Sequence, residues 1–100
     1  MAKRKIIWSL KAKRDLFLIL DFYFKRNGTK TFSVKLNTRF NKIIKVLIKH
    51  PEIGIKTELE NVRVLIEGDF NIFYKIEPKI IEIITIWDNR QDLERLSFGE

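Results

Sequence analysis

The residues with the clearest chemical potential are arginines, a lysine and aromatic residues in the C-terminal half of the chain. Guanidinium groups fork phosphate oxygens and stabilise the charge of a phosphoryl transition state, and aromatic rings stack on unpaired bases. Such a set would suit the binding or cleavage of RNA. It consists of Arg63, Tyr74, Lys75, Trp87, Arg90 and Arg95.

Most of these residues also have a structural interpretation. The tyrosine and the tryptophan can be core side chains with a polar tip at the surface. Arg63 and Arg90 can pair with Glu82 or Asp88 across a sheet. The sequence favours the core for the two aromatic side chains and leaves both roles open for the two arginines.

Other catalytic classes lack the residues they need. The chain has no cysteine, which excludes thiol nucleophiles, disulfides and thiolate metal sites. Its one histidine, His50, precedes a proline at a predicted helix end, where a cation is favourable for structural reasons alone. Neither a serine triad nor a metal cluster can be assembled. We therefore expect no metal and no cofactor.

Composition indicates a single domain over residues 1–100. The chain is 45% hydrophobic and 33% charged, which is too apolar for a disordered chain. No apolar run reaches the roughly 18 residues of a membrane span, and the run after Lys3-Arg4-Lys5 is too short for a signal peptide. A soluble cytoplasmic protein that does not bind membranes is the expectation.

The charge is strongly polarised along the chain. Residues 1–49 carry 14 Lys and Arg against 2 Asp, a net +12, and residues 50–100 carry 6 against 11 Asp and Glu, a net −5. One side of the folded domain should therefore be strongly positive and attract phosphate backbones or an acidic protein segment. A solvated basic surface without a partner is the alternative.

A first helix is predicted from Leu10 to Arg26. Ser9 is placed to cap its start, and Asn27-Gly28 supplies the left-handed residue that ends many helices. Apolar residues at three- and four-residue spacing form one face, and further apolar residues widen it enough for the helix to be covered on two sides. The face comprises Leu16, Phe17, Leu20 and Phe24, and the further residues are Leu18, Ile19, Phe22 and Tyr23.

A second helix is predicted to begin at Thr29 or Thr31 and to end at His50-Pro51. Its apolar residues share one face, and lysines and arginines crowd the others. Because the linker between the helices is short, they should form an antiparallel hairpin. The sequence predicts a connecting loop from Glu52 to Glu58.

From Leu59 onward the period of the apolar residues changes to two, which predicts strands. Short turns should join three of them in an antiparallel meander, and Lys5 to Trp8 should add a further strand because four residues are not stable alone. The expected α+β fold has the order β-α-α-β-β-β. An N-terminal helical hairpin packs on one face of a twisted, mainly antiparallel sheet, and a short helical turn ends the chain.

Five short motifs, in this order and spacing, resemble the RelE/ParE superfamily of type II toxins from about residue 6 to residue 96. The resemblance implies a small bacterial toxin that a cognate antitoxin holds silent, with the antitoxin's tail wrapped across the helices and the sheet. The motifs are Ile7-Trp8-Ser9-Leu10-Lys11-Ala12, then Asp15-Leu16 with Ile19, then Val62-Arg63, then Phe73-Tyr74-Lys75-Ile76, and finally Ile83 to Asp92.

One branch of that superfamily cleaves mRNA on the ribosome, with basic residues on the second and third strands and near the C-terminus. The resemblance makes Arg63, Lys75 and Arg90 the candidate catalytic residues for this endoribonuclease activity. Alternation makes Val62 and Val64 the inward-facing residues of the second strand, with Arg63 on the opposite side of the pleat. The equipment for cleavage is therefore incomplete.

The ParE-like branch has a similar fold, lacks the nuclease residues and is associated with poisoning DNA gyrase. The resemblance to this branch is the preferred interpretation, and it implies a target-binding surface that contains Arg63, Arg90, Arg95 and Trp87. An inactive toxin homologue or a basic nucleic-acid-binding module is a further alternative.

A cognate antitoxin is the partner we expect most strongly. Its inhibitory segment should be amphipathic and acidic, because the positive helical face and nearby apolar residues offer complementary contacts. The residues predicted to bind it are Leu18, Phe22, Tyr23, Arg39 and Lys42.

Overall fold

The computed structural model describes residues 3–90 of the 100-residue chain, and within them lie two helices and one five-stranded sheet. The predicted α+β class is confirmed. The predicted C-terminal turn and Arg95 concern the last ten residues, which lie outside the described part. The elements are β1 (Lys5–Trp8), α1 (Leu10–Asn27), α2 (Thr31–Lys49), β2 (Ile55–Lys56), β3 (Val62–Glu67), β4 (Phe70–Ile76) and β5 (Ile80–Asp88).

Local sequence signals set the ends of the helices. The hydroxyl of Ser9 accepts a hydrogen bond from the backbone N–H of Ala12 at 2.9 Å and caps α1. Gly28 ends α1 with φ of 74° and donates its N–H to the carbonyl of Phe24 at 2.9 Å, as predicted. No helix within residues 3–90 is long and apolar enough to cross a membrane.

The strands lie in the order β1-β5-β4-β3-β2 across the sheet. Strands β3, β4 and β5 form the predicted antiparallel meander, and β1 joins its edge by pairing in parallel with β5. The short strand β2 corrects the predicted loop from Glu52 to Glu58, because Ile55 pairs with Val64 and Lys56 with Arg63. Two residues carry no period, so only tertiary pairing reveals this strand.

The core lies between the helical hairpin and one face of the sheet. Phe40 of α2 meets Phe70 of β4 edge to face, with ring centroids 5.1 Å apart, and Tyr23 of α1 meets Phe32 of α2 at 5.0 Å. The predicted packing of the hairpin on one sheet face is therefore confirmed. The buried residues of this core are Ala12, Ile19, Tyr23, Leu36, Phe40, Ile44, Leu47, Leu65, Phe70, Ile72, Tyr74, Ile81, Ile83 and Ile86.

Strand β3 alternates as predicted, but with the opposite orientation to the hairpin. Arg63 pairs across the sheet with Tyr74, and Leu65 pairs with Ile72, and both partners belong to the core beneath the hairpin. Arg63 therefore lies on the helix side, and Val62 and Val64 lie on the other side. A period of two fixes which residues share a face but not which face the helices cover.

The outer side of α1 remains uncovered, contrary to the prediction that the helix is covered on two sides. Phe17 is 64% exposed, and Leu10, Leu18, Phe22 and Phe24 are exposed as well. Only the inner side of α1, through Ala12, Ile19 and Tyr23, is buried. An exposed apolar area of this kind on a helix is typical of a binding surface.

Candidate functional site

Arg63 and Tyr74 together hold the loop that follows α2. The Nη1 atom of Arg63 donates to the backbone carbonyls of Glu52 at 3.1 Å and of Gly54 at 2.8 Å. The hydroxyl of Tyr74 donates to the carbonyl of Pro51 at 2.7 Å and accepts from the N–H of Gly54 at 2.9 Å. Tyr74 is fully buried, as the sequence favoured. Burial, the leading cause, raises the pKa of its phenol above the usual value.

The cleft beside Arg63 is not an anion site. It has a volume of about 800 Å³, and its walls carry three cationic side chains against four glutamates. The excess of carboxylates disfavours a phosphate group in this cleft. The cationic residues are Arg4, Lys56 and Arg63, and the glutamates are Glu52, Glu58, Glu60 and Glu77.

Arg90 belongs to a second cluster, at the other end of the sheet. Its guanidinium donates to the hydroxyl of Tyr23, lies 5.1 Å from the centroid of that ring and is 3.4 Å from a carboxylate oxygen of Asp69. Asp88, only 2% exposed, accepts from the Tyr23 hydroxyl at 2.6 Å and from the backbone N–H of Arg90 at 3.0 Å. Arg90 also pairs with Asp88 at 3.7 Å, but the two residues are near neighbours in the chain and do not face each other across the sheet.

Asp15 ties α1 to β5 in a way that sequence reasoning missed. Its carboxylate accepts from the Thr85 hydroxyl and from the backbone N–H of Ile86 at 3.2 Å. It also forms an ion pair with Lys11, one turn earlier on α1, at 3.1 Å. A carboxylate in the first half of an otherwise apolar and basic helix is the one sequence signal that points to such a contact.

The residues predicted to bind a target are not brought into one group. Arg63 and Arg90 use their guanidinium groups within the fold, and Arg95 lies outside the described residues. Trp87 corrects the core interpretation, because it is 44% exposed on the side of the sheet that the helices leave bare. Its ring meets the partly buried Phe73 edge to face, with centroids 6.4 Å apart.

The residues predicted to bind an antitoxin fall into two groups. Leu18, Phe22 and Lys42 are exposed on the hairpin, and Arg39 is exposed while its guanidinium bonds Glu67 at 2.7 Å. Tyr23 instead lies inside the fold, 3% exposed, where its hydroxyl joins Asp88 and Arg90.

Tyr23 gives the protein a distinctive loss of stability in alkali. Burial, helped by the hydrogen bond to Asp88, raises the pKa of its phenol to about 12, against about 10 in an unfolded chain. Between these two pH values the unfolded state binds fewer protons than the folded state, so the free energy of unfolding falls as pH rises from 10 to 12. Below pH 10 this contribution is fully present.

We expect the Tyr23→Phe variant to lack this part of the decline. Urea unfolding at pH 9 and at pH 11.5 should show a smaller difference for the variant than for the unmodified protein. The difference between the two proteins is the informative quantity, because they differ only in the phenol hydroxyl. Equal declines would contradict the assignment to Tyr23.

Comparison with known proteins supports the fold and a class of function. The model of the family described as "ParE toxin of type II toxin-antitoxin system, parDE" matches residues 6–93. A comparison with curated proteins found no match.

Several solved structures are similar to this chain. A chromosomal ParDE toxin–antitoxin system from P. aeruginosa aligns with a TM-score of 0.72 and 26% identity, over 84% of this chain and 94% of its own. The E. coli DinJ-YafQ complex has a TM-score of 0.59 and 13% identity over 90% and 97% of the two chains. The RelBE2 complex of Mycobacterium tuberculosis has a TM-score of 0.59 and 16% identity, over 85% of this chain and 96% of its own. At these identities the last two show the fold alone.

Proposed function

The chain belongs to the ParE toxin family of type II toxin–antitoxin systems, and on that premise we propose that it arrests growth by binding its target rather than by cutting RNA. DNA gyrase is the target we propose, because the sequence resembles the ParE-like branch. A cognate antitoxin neutralises the toxin, as the P. aeruginosa ParDE system in the comparison is itself a toxin–antitoxin pair.

The observation that carries this proposal is the separation of the three residues that a ribonuclease would need. Lys75 pairs with Val62 on the bare side of the sheet, whereas Arg63 lies on the helix side. Arg90 comes shortly after Asp88, whose partner on β4 is Phe70. The partner of Arg63 on β4 is Tyr74, four residues from Phe70, which is about 13 Å of strand. Groups so placed cannot act on one scissile phosphate.

The electrostatics support the same conclusion. The guanidinium of Arg63 is bound to two carbonyls and stands among four glutamates, and that of Arg90 faces Asp69 and Asp88. His50, the one histidine of the sequence, caps the end of α2 and belongs to neither of the two clusters. The tyrosine hydroxyl of each cluster is bonded within the fold, Tyr74 to the loop after α2 and Tyr23 to Asp88 and Arg90, so neither is placed to exchange a proton with a ribose hydroxyl.

The antitoxin is proposed to bind the exposed side of the helical hairpin. Leu10, Phe17 and Phe24 recur every seven residues on the outer side of α1, and Leu18 and Phe22 flank them. This spacing suits an amphipathic partner helix. Cationic side chains of α1 surround these apolar residues and favour acidic residues on that partner. The cationic residues are Lys11, Lys13, Arg14, Lys25 and Arg26.

Three measurements test the mode of action. Expression without antitoxin should arrest growth, the purified protein should inhibit DNA supercoiling by gyrase, and primer extension on cellular mRNA should find no cuts. Growth arrest with codon-positioned cuts would instead support the endoribonuclease. No growth arrest would leave an inactive homologue or a nucleic-acid-binding module.

The antitoxin surface can be tested by placing one negative charge in its apolar part. We expect Leu18→Asp to remain toxic and to bind the product of the adjoining antitoxin gene at least tenfold more weakly, because it places a carboxylate in an apolar contact facing an acidic partner. Ile53→Asp, at a similarly exposed isoleucine in the loop after α2, is the matched control and should bind as the unmodified protein does. Equal affinities for all three proteins would contradict this surface.

A further inference from the structure

The face of the sheet opposite the hairpin carries a continuous apolar area. Cross-strand pairing places Ile55, Val64 and Phe73 side by side on β2, β3 and β4. The next row on the same face holds Ile66 and Trp87, with Asn71 between them. We call the five apolar residues the sheet patch. Three of them are well exposed, Ile55 at 59%, Ile66 at 55% and Trp87 at 44%.

The chemistry of the sheet patch excludes nucleic acid as its main occupant. Its five members carry no charge, and the nearest lysine in the register, Lys75, stands directly opposite Glu82. Asn71 is engaged with the side chain of Asn89 at 3.3 Å. Phosphate groups need several cations and ordered donors, and these lie on the hairpin side of the domain.

A second copy of the chain is also a poor occupant. The exposed members present on the order of 100 Å² each, about 300 Å² in all, well short of the roughly 800 Å² per partner of a standard interface. Two copies would further bring together chains of net charge +7. The area is instead the size of the apolar centre of a wider interface with another protein.

We propose that the sheet patch is the surface with which this toxin docks on its target, and that the target is an acidic protein that offers an apolar area. The net charge of +7 speeds encounter with an acidic protein, and the uncharged patch then gives the desolvated centre of the contact. This inference rests on the proposed function. It assigns the hairpin to the antitoxin and the opposite face to the target.

The arrangement also accounts for an aromatic side chain left in solvent. Trp87 lies on β5 directly before the buried Asp88, so the backbone at this position is fixed by the contacts of Asp88 with Tyr23 and Arg90. A rigid strand presents the indole at a constant angle, with Phe73 packed against its edge. Tryptophans held in this way are frequent centres of protein interfaces because they lose little conformational freedom on binding.

Three variants test the inference in cells and with purified gyrase. Ile66→Asp and Ile66→Gln change an exposed side chain that packs on no helix, and Trp87→Ser removes the indole. Val34→Asp, at a valine that is 59% exposed on α2, is the matched control. Thermal unfolding of each purified protein establishes that it is folded.

If the sheet patch docks the target, all three variants should lose growth arrest and need at least tenfold more protein to inhibit supercoiling, whereas Val34→Asp should act as the unmodified toxin does. Ile66→Asp should be weaker than Ile66→Gln, since it adds repulsion to the loss of apolar contact. Folded Ile66 variants with full growth arrest would overturn the inference, as would an equal loss in Val34→Asp.

The proposed function can fail separately. An unmodified protein that does not arrest growth would refute the function itself, whatever the variants do. Growth arrest by the unmodified protein without inhibition of gyrase would refute only the choice of gyrase, and the growth assay would still decide the role of the sheet patch.

Discussion

Replacement of Asp88 by alanine should lower the free energy of unfolding by about 3 kcal/mol, because it removes a buried carboxylate from the centre of a polar cluster. The Tyr23 hydroxyl would lose its acceptor inside the fold, and the N–H of Arg90 would lose the oxygen that it now reaches at 3.0 Å. Of the two carboxylates that it faces, the Arg90 guanidinium would keep only Asp69, which is more than half exposed. Urea unfolding at neutral pH measures the loss.

Asp88→Asn is the matched control for this prediction. The amide keeps the volume of the side chain and one acceptor oxygen for the Tyr23 hydroxyl, so about half of the loss should remain. Asp88→Ala and Asp88→Asn variants that both unfold within about 0.5 kcal/mol of the unmodified protein would show that the cluster contributes little.

Replacement of Gly54 by alanine should be equally damaging, by about 3 kcal/mol. A β-carbon built on Gly54 would stand 2.6 Å from the Tyr74 hydroxyl oxygen and 2.8 Å from the carbonyl oxygen of Val64. Neither atom can yield easily, since Tyr74 is fully buried and Val64 belongs to the sheet. Relief requires the loop to move, which breaks the two hydrogen bonds of the Tyr74 hydroxyl.

Gly28→Ala is the control that distinguishes the effect of crowding at Gly54 from the general effect of replacing a glycine. Gly28 has a φ of 74° and open space where a β-carbon would stand, so alanine there should cost about 1 kcal/mol from backbone strain alone. In a Tyr74→Phe background, Gly54→Ala should cost less than in the unmodified protein, because the closest atom is gone. Equal costs for Gly54→Ala and Gly28→Ala in urea unfolding would contradict the crowding argument.

Local signals were enough to predict most of the fold. Ser9 and Gly28 mark the ends of α1, and His50-Pro51 marks the end of α2, because capping depends on residues close in the chain. The change of period at Leu59 identified the meander, whose turns are short and polar. The sequence predicted that β1 joins the sheet but not that it pairs in parallel with β5, because register between distant strands has no local signal.

The candidate site was much less predictable. Whether Arg63 and Arg90 face a ligand or the protein depends on which face of the sheet the hairpin covers, and that is a property of the assembled fold. The partly buried Asp15 and the buried Asp88 bond partners about 65 to 70 residues away in the chain. Trp87 was expected in the core because its strand is almost entirely apolar, but one side of that strand has no layer above it.

The topology also constrains when this protein can act during its own synthesis. Strand β5 lies between β1 and β4, so β1 has no partner in the sheet until translation has passed β5. Folding that is completed by β5 therefore makes the finished toxin available only after nearly the whole chain has been translated.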